Sequence, residues 1–304
     1  MTSQLQIVIL SRDRPQYLKE TIDSALSQTG AKISYEVIIS DNSEKNEVND
    51  LIQKNYLTNS QIKYIRRWPT LTSQEHFHKV IKEFSSEFAV IFHDDDILHQ
   101  DYLKYTFPLI LNELTSAVGC NAIIFNKEIN DGFKKMHEFN SIKKFASKKD
   151  FLMQYLIGNG GIAPFPGYIY KTKHLKQVSF EGLPSGKHAD AVILSSLIEF
   201  GQIVWHSEVL MYYRVHTRSD SSTEAIPDRL SLLRYMYSQG ISKSSKSVFL
   251  YKYLFWFNWL KQQSFSIQKL NHWRYAIALK FIMFGSIKVI GSKHFWKSII
   301  KKLR

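Results

Sequence analysis

A parallel, doubly covered α/β sheet followed by a basic helical C-terminal extension is the fold class that this 304-residue sequence predicts, on three observations. Short β-rich runs alternate with helical patterns over the first hundred residues, as in strands joined by crossover helices. The hydrophobic content of 44% is enough, at this length, for a substantial core without crosslinks. The charge is also split. Fifteen of the forty Lys and Arg residues follow Asp228 and no acidic residue does, which leaves 25 basic against 27 acidic residues before it. This describes a near-neutral domain over 1–228 and an appendage over 229–304 suited to an anionic partner.

In chain order, "LQIVIL" (5–10), "YEVIIS" (35–40), "IKYIRR" (62–67) and "FAVIFH" (88–93) are dense in β-branched and aromatic residues and read as strands. "RPQYLKETIDSALSQT" opens on a proline suited to a first helical turn and repeats Leu18, Ile22 and Ala25 at helical spacing. "LTSQEHFHKVIKEF" places Phe77, Val80, Ile81 and Phe84 on one helical face. The middle is less regular. "GNGGIAPFPGYIYKTKHL" (158–175) predicts a folded loop returning into a strand "GYIYK", then a helix "ADAVILSSLIEFGQ" and a strand "IVWHSEVLMYYRVH". "MTSQLQIVILSRDRP" has no basic region before its short apolar run, so it reads as a first core strand rather than a signal peptide. With Cys120 as the single cysteine, no internal disulfide is expected and a reducing cytosol fits.

Beyond residue 229 the helical patterns turn aromatic. "SVFLYKYLFWFNWLK" and "YAIALKFIMFGSIKVIG" are apolar but interrupted, short of the roughly 18 uninterrupted residues of a spanning helix. "SKHFWKSIIKKLR" sets Phe295, Trp296, Ile299, Ile300 and Leu303 against four lysines, the pattern of a helix lying in a membrane interface. Packing of these apolar faces on the domain or on another subunit is the competing reading. Nucleic-acid binding, which the basic tail also suggests, is not expected because the same tail is so apolar.

Ligands of parallel α/β sheets sit beyond the carboxyl ends of the strands. That puts Ser11 to Arg14, Ser40 to Ser43, Arg66/Arg67 and His93 to Asp96 along one edge. Three adjacent carboxylates, Asp94, Asp95 and Asp96, would cost several kcal/mol each if buried without a counter-charge, so they either hold a cation or project into solvent. Hard oxygen ligands suit Mg²⁺ or Mn²⁺. The alternative is an acidic cap on a helix "DDILHQDYLKYTF". His76 and His78, two apart on one helix, do not share a face and so make a poor metal pair. Trp68, Phe165 and Tyr168 suit either sugar stacking or core packing, and "GNGG" (158–161) reads as backbone flexibility near an acceptor.

"VILSRDRPQYLKETIDSALSQT", "YEVIISDNS", "FAVIFHDDDIL" and "HADAVILSSLIEFGQIVWHSEVLMYYRVHTRSDSS", in that order, resemble the successive motifs of a family-2 glycosyltransferase of the GT-A fold over roughly residues 5 to 220. The resemblance implies a Rossmann-like, mostly parallel sheet and an inverting, metal-dependent transfer of a sugar. The donor would be a nucleotide-diphosphate sugar, a UDP-sugar first among them. It implies that Asp94, Asp95 and Asp96 bind ribose and Mn²⁺ or Mg²⁺, with the motif able to slide so that His93 takes its first position. Ser11, Arg14, Asp41 and Arg67 would lie around the nucleotide, and Ser40 stands where the family often has a second acid. Asp190 would be the general base, although Ala189 precedes it instead of an acid, and it is also placed to cap a helix. His216 would reach the metal or diphosphate, and Arg214 and Arg218 either pair with phosphates or are surface charges. The acceptor implied is a glycan or lipid-linked molecule of bacterial capsule, O-antigen or lipooligosaccharide assembly. The enzyme would be cytoplasmic, peripheral on the inner face of the cell membrane through its C-terminal helices, with an oligomer left open. A non-catalytic protein of the same fold is the alternative.

Overall fold

The computed structural model describes residues 3–125, 134–138, 140–157, 166–179, 188–215 and 226–262. The expected four-strand start is present: β1 (Leu5–Ser11), β2 (Tyr35–Asp41), β3 (Ile62–Arg66) and β4 (Phe88–His93) lie side by side and parallel, in the order β3-β2-β1-β4. Between them run α1 (Pro15–Leu26), α2 (Glu47–Asn55) and α3 (Ser73–Glu83). Pro15 stands at the start of α1. Thr72 and Glu75 close a reciprocal capping box at the start of α3, satisfying two amide donors that a bare helix end would leave exposed.

Because strand side chains alternate, each strand feeds two cores. Leu5, Ile7, Ile9, Val37, Ile39, Phe88, Val90 and Phe92 pack against α1 and α2 on one face. Val8, Ile38, Ala89 and Ile91 pack against Val80, Ile81 and Phe84 of α3 on the other.

The second half extends the same sheet. After β5 (Ile97–Leu98) and α4 (Tyr102–Ile110) comes β6 (Thr115–Phe125), an eleven-residue strand that the sequence reading passed over. β7 (Lys134–Lys135), β8 (Lys143–Phe145) and α5 (Lys148–Ile157) follow, then β9 (Ile169–Lys171), α6 (Thr172–Leu175), α7 (Ala189–Leu197) and β10 (Gln202–Arg214). β9 is antiparallel between β4 and β6, and β10 runs parallel to β6 while pairing antiparallel with β5 and β8. A Cβ at Gly119 of β6 would lie 2.4–2.8 Å from ring atoms of Tyr168, so only glycine lets that buried ring lie against the strand.

The extension begins as part of the domain. α8 (Ile226–Ser238) and α9 (Lys246–Gln262) bring Leu232, Leu233, Met236, Val248 and Tyr251 into the core that holds α5 and α7. Among the described residues no helix is long and apolar enough to cross a membrane. "YAIALKFIMFGSIKVIG" and "SKHFWKSIIKKLR" lie outside the described residues. Cys120 is buried, with its thiol 3.7 Å from the Gly167 carbonyl, and burial pushes its pKa up.

Two expectations are corrected. The aspartates do not cap "DDILHQDYLKYTF": Ile97 and Leu98 are drawn into the sheet by β10, and α4 begins only at Tyr102. Trp68 is not in the core but 73% exposed, whereas Tyr168 is fully buried.

Candidate active site

Register aligns the site. Arg66 pairs with Asp41 and Asp41 with Ser11 at the carboxyl ends of β3, β2 and β1, while Leu10 pairs with His93, so Asp94 follows directly beside Ser11. The loops after these strands are tied to one another by hydrogen bonds. Asp13, at φ 52°, donates its N–H to Ser43 Oγ (2.8 Å) and accepts from the amides of Glu44 and Lys45 (3.1 and 3.2 Å). A non-glycine residue in this region needs such anchoring.

The three aspartates have three environments. Asp94 is completely buried: Oδ2 accepts the Arg12 N–H at 2.9 Å and Oδ1 lies 2.9 Å from the Arg14 guanidinium. Burial pushes its carboxyl up to about 7, an effect that Arg14 opposes and Asp95 reinforces. Asp95 takes the other side of the Arg14 fork at 2.6 Å. Asp96 accepts the Arg214 backbone N–H on Oδ1 at 2.9 Å, while Oδ2 is buried and takes no hydrogen bond from a described residue. Burial first and Asp95 second hold its carboxyl well above the usual range. An unsatisfied buried carboxylate oxygen is costly, and a divalent cation would satisfy it. One ligand atom from each of His93, Asp95 and Asp96 lies within 4.8 Å of the others, so the donor set fits a small cation.

Arg214 fastens this turn to the end of β10. Its Nε donates to the Asp95 carbonyl at 2.8 Å, its guanidinium pairs with Glu20, and it lies 4.6 Å from the ring centroids of both Tyr17 and Phe125. It is therefore an internal bolt, neither the surface charge nor the open phosphate ligand that its sequence position suggested.

Beside it, Asp41 is fully buried: Oδ1 accepts the Ser43 N–H (2.9 Å) and Oδ2 accepts from Tyr64 (2.7 Å) and Arg66 (2.6 Å). Arg67 points to the opposite side of its strand. Its guanidinium is held by both Glu83 oxygens and by Ser40 Oγ at 2.9 Å, and Ser40 Oγ is 2.7 Å from His76 Nε2. Burial, with the Arg67 charge next in weight, pushes His76 down to about 4, so this histidine is a neutral structural group. Ser40 completes a polar cluster beneath the edge instead of supplying a second acid.

Asp190 stands in the first turn of α7, where Oδ1 accepts the Ala191 N–H at 2.7 Å. Solvent reaches part of its surface, yet protein surrounds it, and burial pushes its carboxyl up to about 8. Tyr168 and Tyr170 feel its charge. Just before it, His188 Nδ1 lies 2.7 Å from the Tyr155 hydroxyl, a pairing that no sequence pattern announced. His216, Arg218, Phe165 and "GNGG" lie outside the described residues.

This edge gathers arginines and an acidic turn at the carboxyl ends of four parallel strands, where ligands of open α/β sheets sit. The chain belongs to glycosyl transferase family 2, whose model matches residues 6–177, and glycosyl transfer is its class of chemistry. Its fold is the GT-A fold. The crystal structure of S. aureus TarS 1–349 in complex with UDP-GlcNAc superposes with a TM-score of 0.60 at 15% identity, covering 81% of this chain and 68% of that one. TarS 1–349 alone gives 0.61 at 14% identity, covering 92% and 80%. No curated relative matches the chain in sequence.

Proposed function

We propose that this chain moves a sugar, with inversion, from a nucleotide-diphosphate donor to a hydroxyl of a glycan or lipid-linked acceptor in bacterial surface polysaccharide synthesis. The observation that carries the reading is the turn Asp94–Asp96 at the carboxyl edge of the sheet, with a buried carboxylate oxygen on Asp96 that no described side chain satisfies. A UDP-sugar is the donor expected first, in keeping with the complex of the structurally similar TarS. In this reading Asp95 and Asp96 hold Mn²⁺ or Mg²⁺, and His216 remains a further candidate ligand. When bound, the cation supplies Lewis-acid stabilisation of the diphosphate leaving group.

The protein's own groups have separable tasks. Asp94, committed to Arg12 and Arg14, holds the β1–α1 loop against the acidic turn. Ser11, Arg14 and Asp41 frame the nucleotide, and Arg67 supports that frame from behind through Ser40. Asp190 removes the proton from the acceptor hydroxyl as its oxygen attacks the anomeric carbon. A displacement of this kind needs one base and no protein nucleophile. The basic extension over 229–304 holds the enzyme on an anionic cytoplasmic leaflet.

The test is binding and hydrolysis of a panel of nucleotide sugars with Mn²⁺, Mg²⁺ or chelator. One donor is expected to bind in a metal-dependent way, Asp95→Ala to abolish binding, and Asp190→Ala to bind without turnover. Failure of every nucleotide sugar under every metal condition would overturn the reading. The membrane arm predicts salt-sensitive binding to anionic vesicles that is lost on removing residues 292–304, and salt-independent failure of the intact chain to bind them would count against it.

A further inference from the structure

We propose that His93 supplies a nitrogen ligand to the divalent cation beside Asp95 and Asp96, and that this imidazole makes the site favour a first-row transition ion such as Mn²⁺ over Mg²⁺. The inference rests on the reading of the acidic turn as a cation site and names one more ligand for it. Three observations support it.

His93 is the last residue of β4 and pairs with Leu10, so strand register fixes its backbone at the mouth of the turn. One ring nitrogen of His93 and one oxygen each of Asp95 and Asp96 lie within 4.8 Å of one another. Ligands at about 2.1 Å on opposite sides of one cation are about 4.2 Å apart, so small side-chain rotations close the set. Asp96 Oδ2, in a residue only 1% exposed, takes no hydrogen bond from any described residue, which marks where positive charge is wanted. Asp94, the other neighbour in sequence, has both oxygens engaged, Oδ2 by the Arg12 amide and Oδ1 by the Arg14 guanidinium, whereas Asp95 meets Arg14 through Oδ2. Three consecutive acids therefore provide two cation ligands, and the third place falls to the histidine before them.

The donor chemistry sets the selectivity. A site of carboxylates and water suits Mg²⁺ and Mn²⁺ alike, while an added imidazole nitrogen raises affinity for first-row transition ions, Mn²⁺ the least of them, and gives Mg²⁺, a hard ion that prefers oxygen, much less. The expected effect of His93→Gln is a loss of about tenfold in Mn²⁺ affinity with less than about threefold change for Mg²⁺.

The deciding measurement is pulsed electron paramagnetic resonance of Mn²⁺ on the full chain, with and without UDP, using protein made with ordinary and with ¹⁵N-labelled histidine. Directly bound imidazole gives a ¹⁴N modulation that changes to the ¹⁵N pattern on labelling. It should persist in His216→Ala and vanish in His93→Gln, where titration should still find bound Mn²⁺. Mn²⁺ bound with no histidine coupling overturns the inference and leaves the cation site standing, as does a coupling lost only in His216→Ala. No Mn²⁺ binding to any form overturns both. Should His93→Gln fail to fold, the labelled wild-type and His216→Ala spectra decide: a coupling retained in both supports His93, and one absent from the first or lost in the second overturns it.

Discussion

Replacing Asp190 with asparagine separates what the carboxyl does for chemistry from what it costs the fold. Asparagine keeps the Oδ1 acceptor for the Ala191 N–H and removes the titration. In the folded chain burial lifts the Asp190 carboxyl from its ordinary 3.8 to about 8. Between those values the folded state retains a proton that the unfolded state has released, so wild-type stability falls as pH rises, with a slope approaching 1.4 kcal/mol per pH unit. From pH 5 to pH 8 that sums to at most about 4 kcal/mol, and to about 2 kcal/mol once solvent access to Asp190 is allowed for. Urea unfolding of both proteins at pH 5, 6, 7 and 8 should show Asp190→Asn gaining on wild type by that amount across the range. Asp94 and Asp96, which also titrate high, are common to both proteins and cancel in the difference. Parallel stability curves would refute the burial argument. The same carboxyl should make wild-type kcat/KM rise with pH up to about 8, since a base acts deprotonated. A flat profile from pH 6 to 9 would remove Asp190 from that role.

Gly119→Ala puts a methyl group into the Tyr168 ring and should cost about 1–3 kcal/mol by overpacking, read as a lowered thermal midpoint; an unchanged midpoint would mean the ring is not seated there. Arg214→Met keeps the backbone hydrogen bond to Asp96 but loses those to the Asp95 carbonyl and Glu20. Unfolding should show a loss of about 1–3 kcal/mol, and calorimetry should show weaker Mn²⁺ binding if Arg214 positions the turn. His76 has a folded pKa of about 4 against 6.5 unfolded, so the stability present above pH 6.5 is lost as pH falls toward 4, by about 2 kcal/mol after screening. His76→Gln should lack that acid-side slope in urea titrations, and an identical slope would assign the acid sensitivity elsewhere.

The first four strands were legible because each is a short run rich in β-branched and aromatic residues, and α3 because Phe77, Val80, Ile81 and Phe84 recur at helical spacing. β6 was not. Gly119 and Asn121 interrupt its apolar run for reasons that lie elsewhere in the chain: the Tyr168 ring in one case, the His137 and Ser207 carbonyls in the other. The acidic turn was placed on the correct edge, yet its exit was misread as a helix because β5 exists only by pairing with a strand more than a hundred residues later. Likewise the motif named three aspartates without showing that one is held by arginines and another keeps one carboxylate oxygen without a hydrogen bond from the described residues. Side-chain direction was equally hidden. Arg66 and Arg67 are adjacent, but strand alternation sends one to Asp41 and the other to Glu83.

The walled-in thiol of Cys120 has a practical consequence. Neither reached by solvent nor readily deprotonated, it will be slow toward maleimides, and the sequence contains no other cysteine. The natural chain therefore behaves in labelling as though it were cysteine-free. A single Trp68→Cys change, at an exposed position just after Arg66 and Arg67, would take one fluorophore at one known place. Binding of the nucleotide sugar proposed for the sheet edge could then be tested in real time without first removing a native residue.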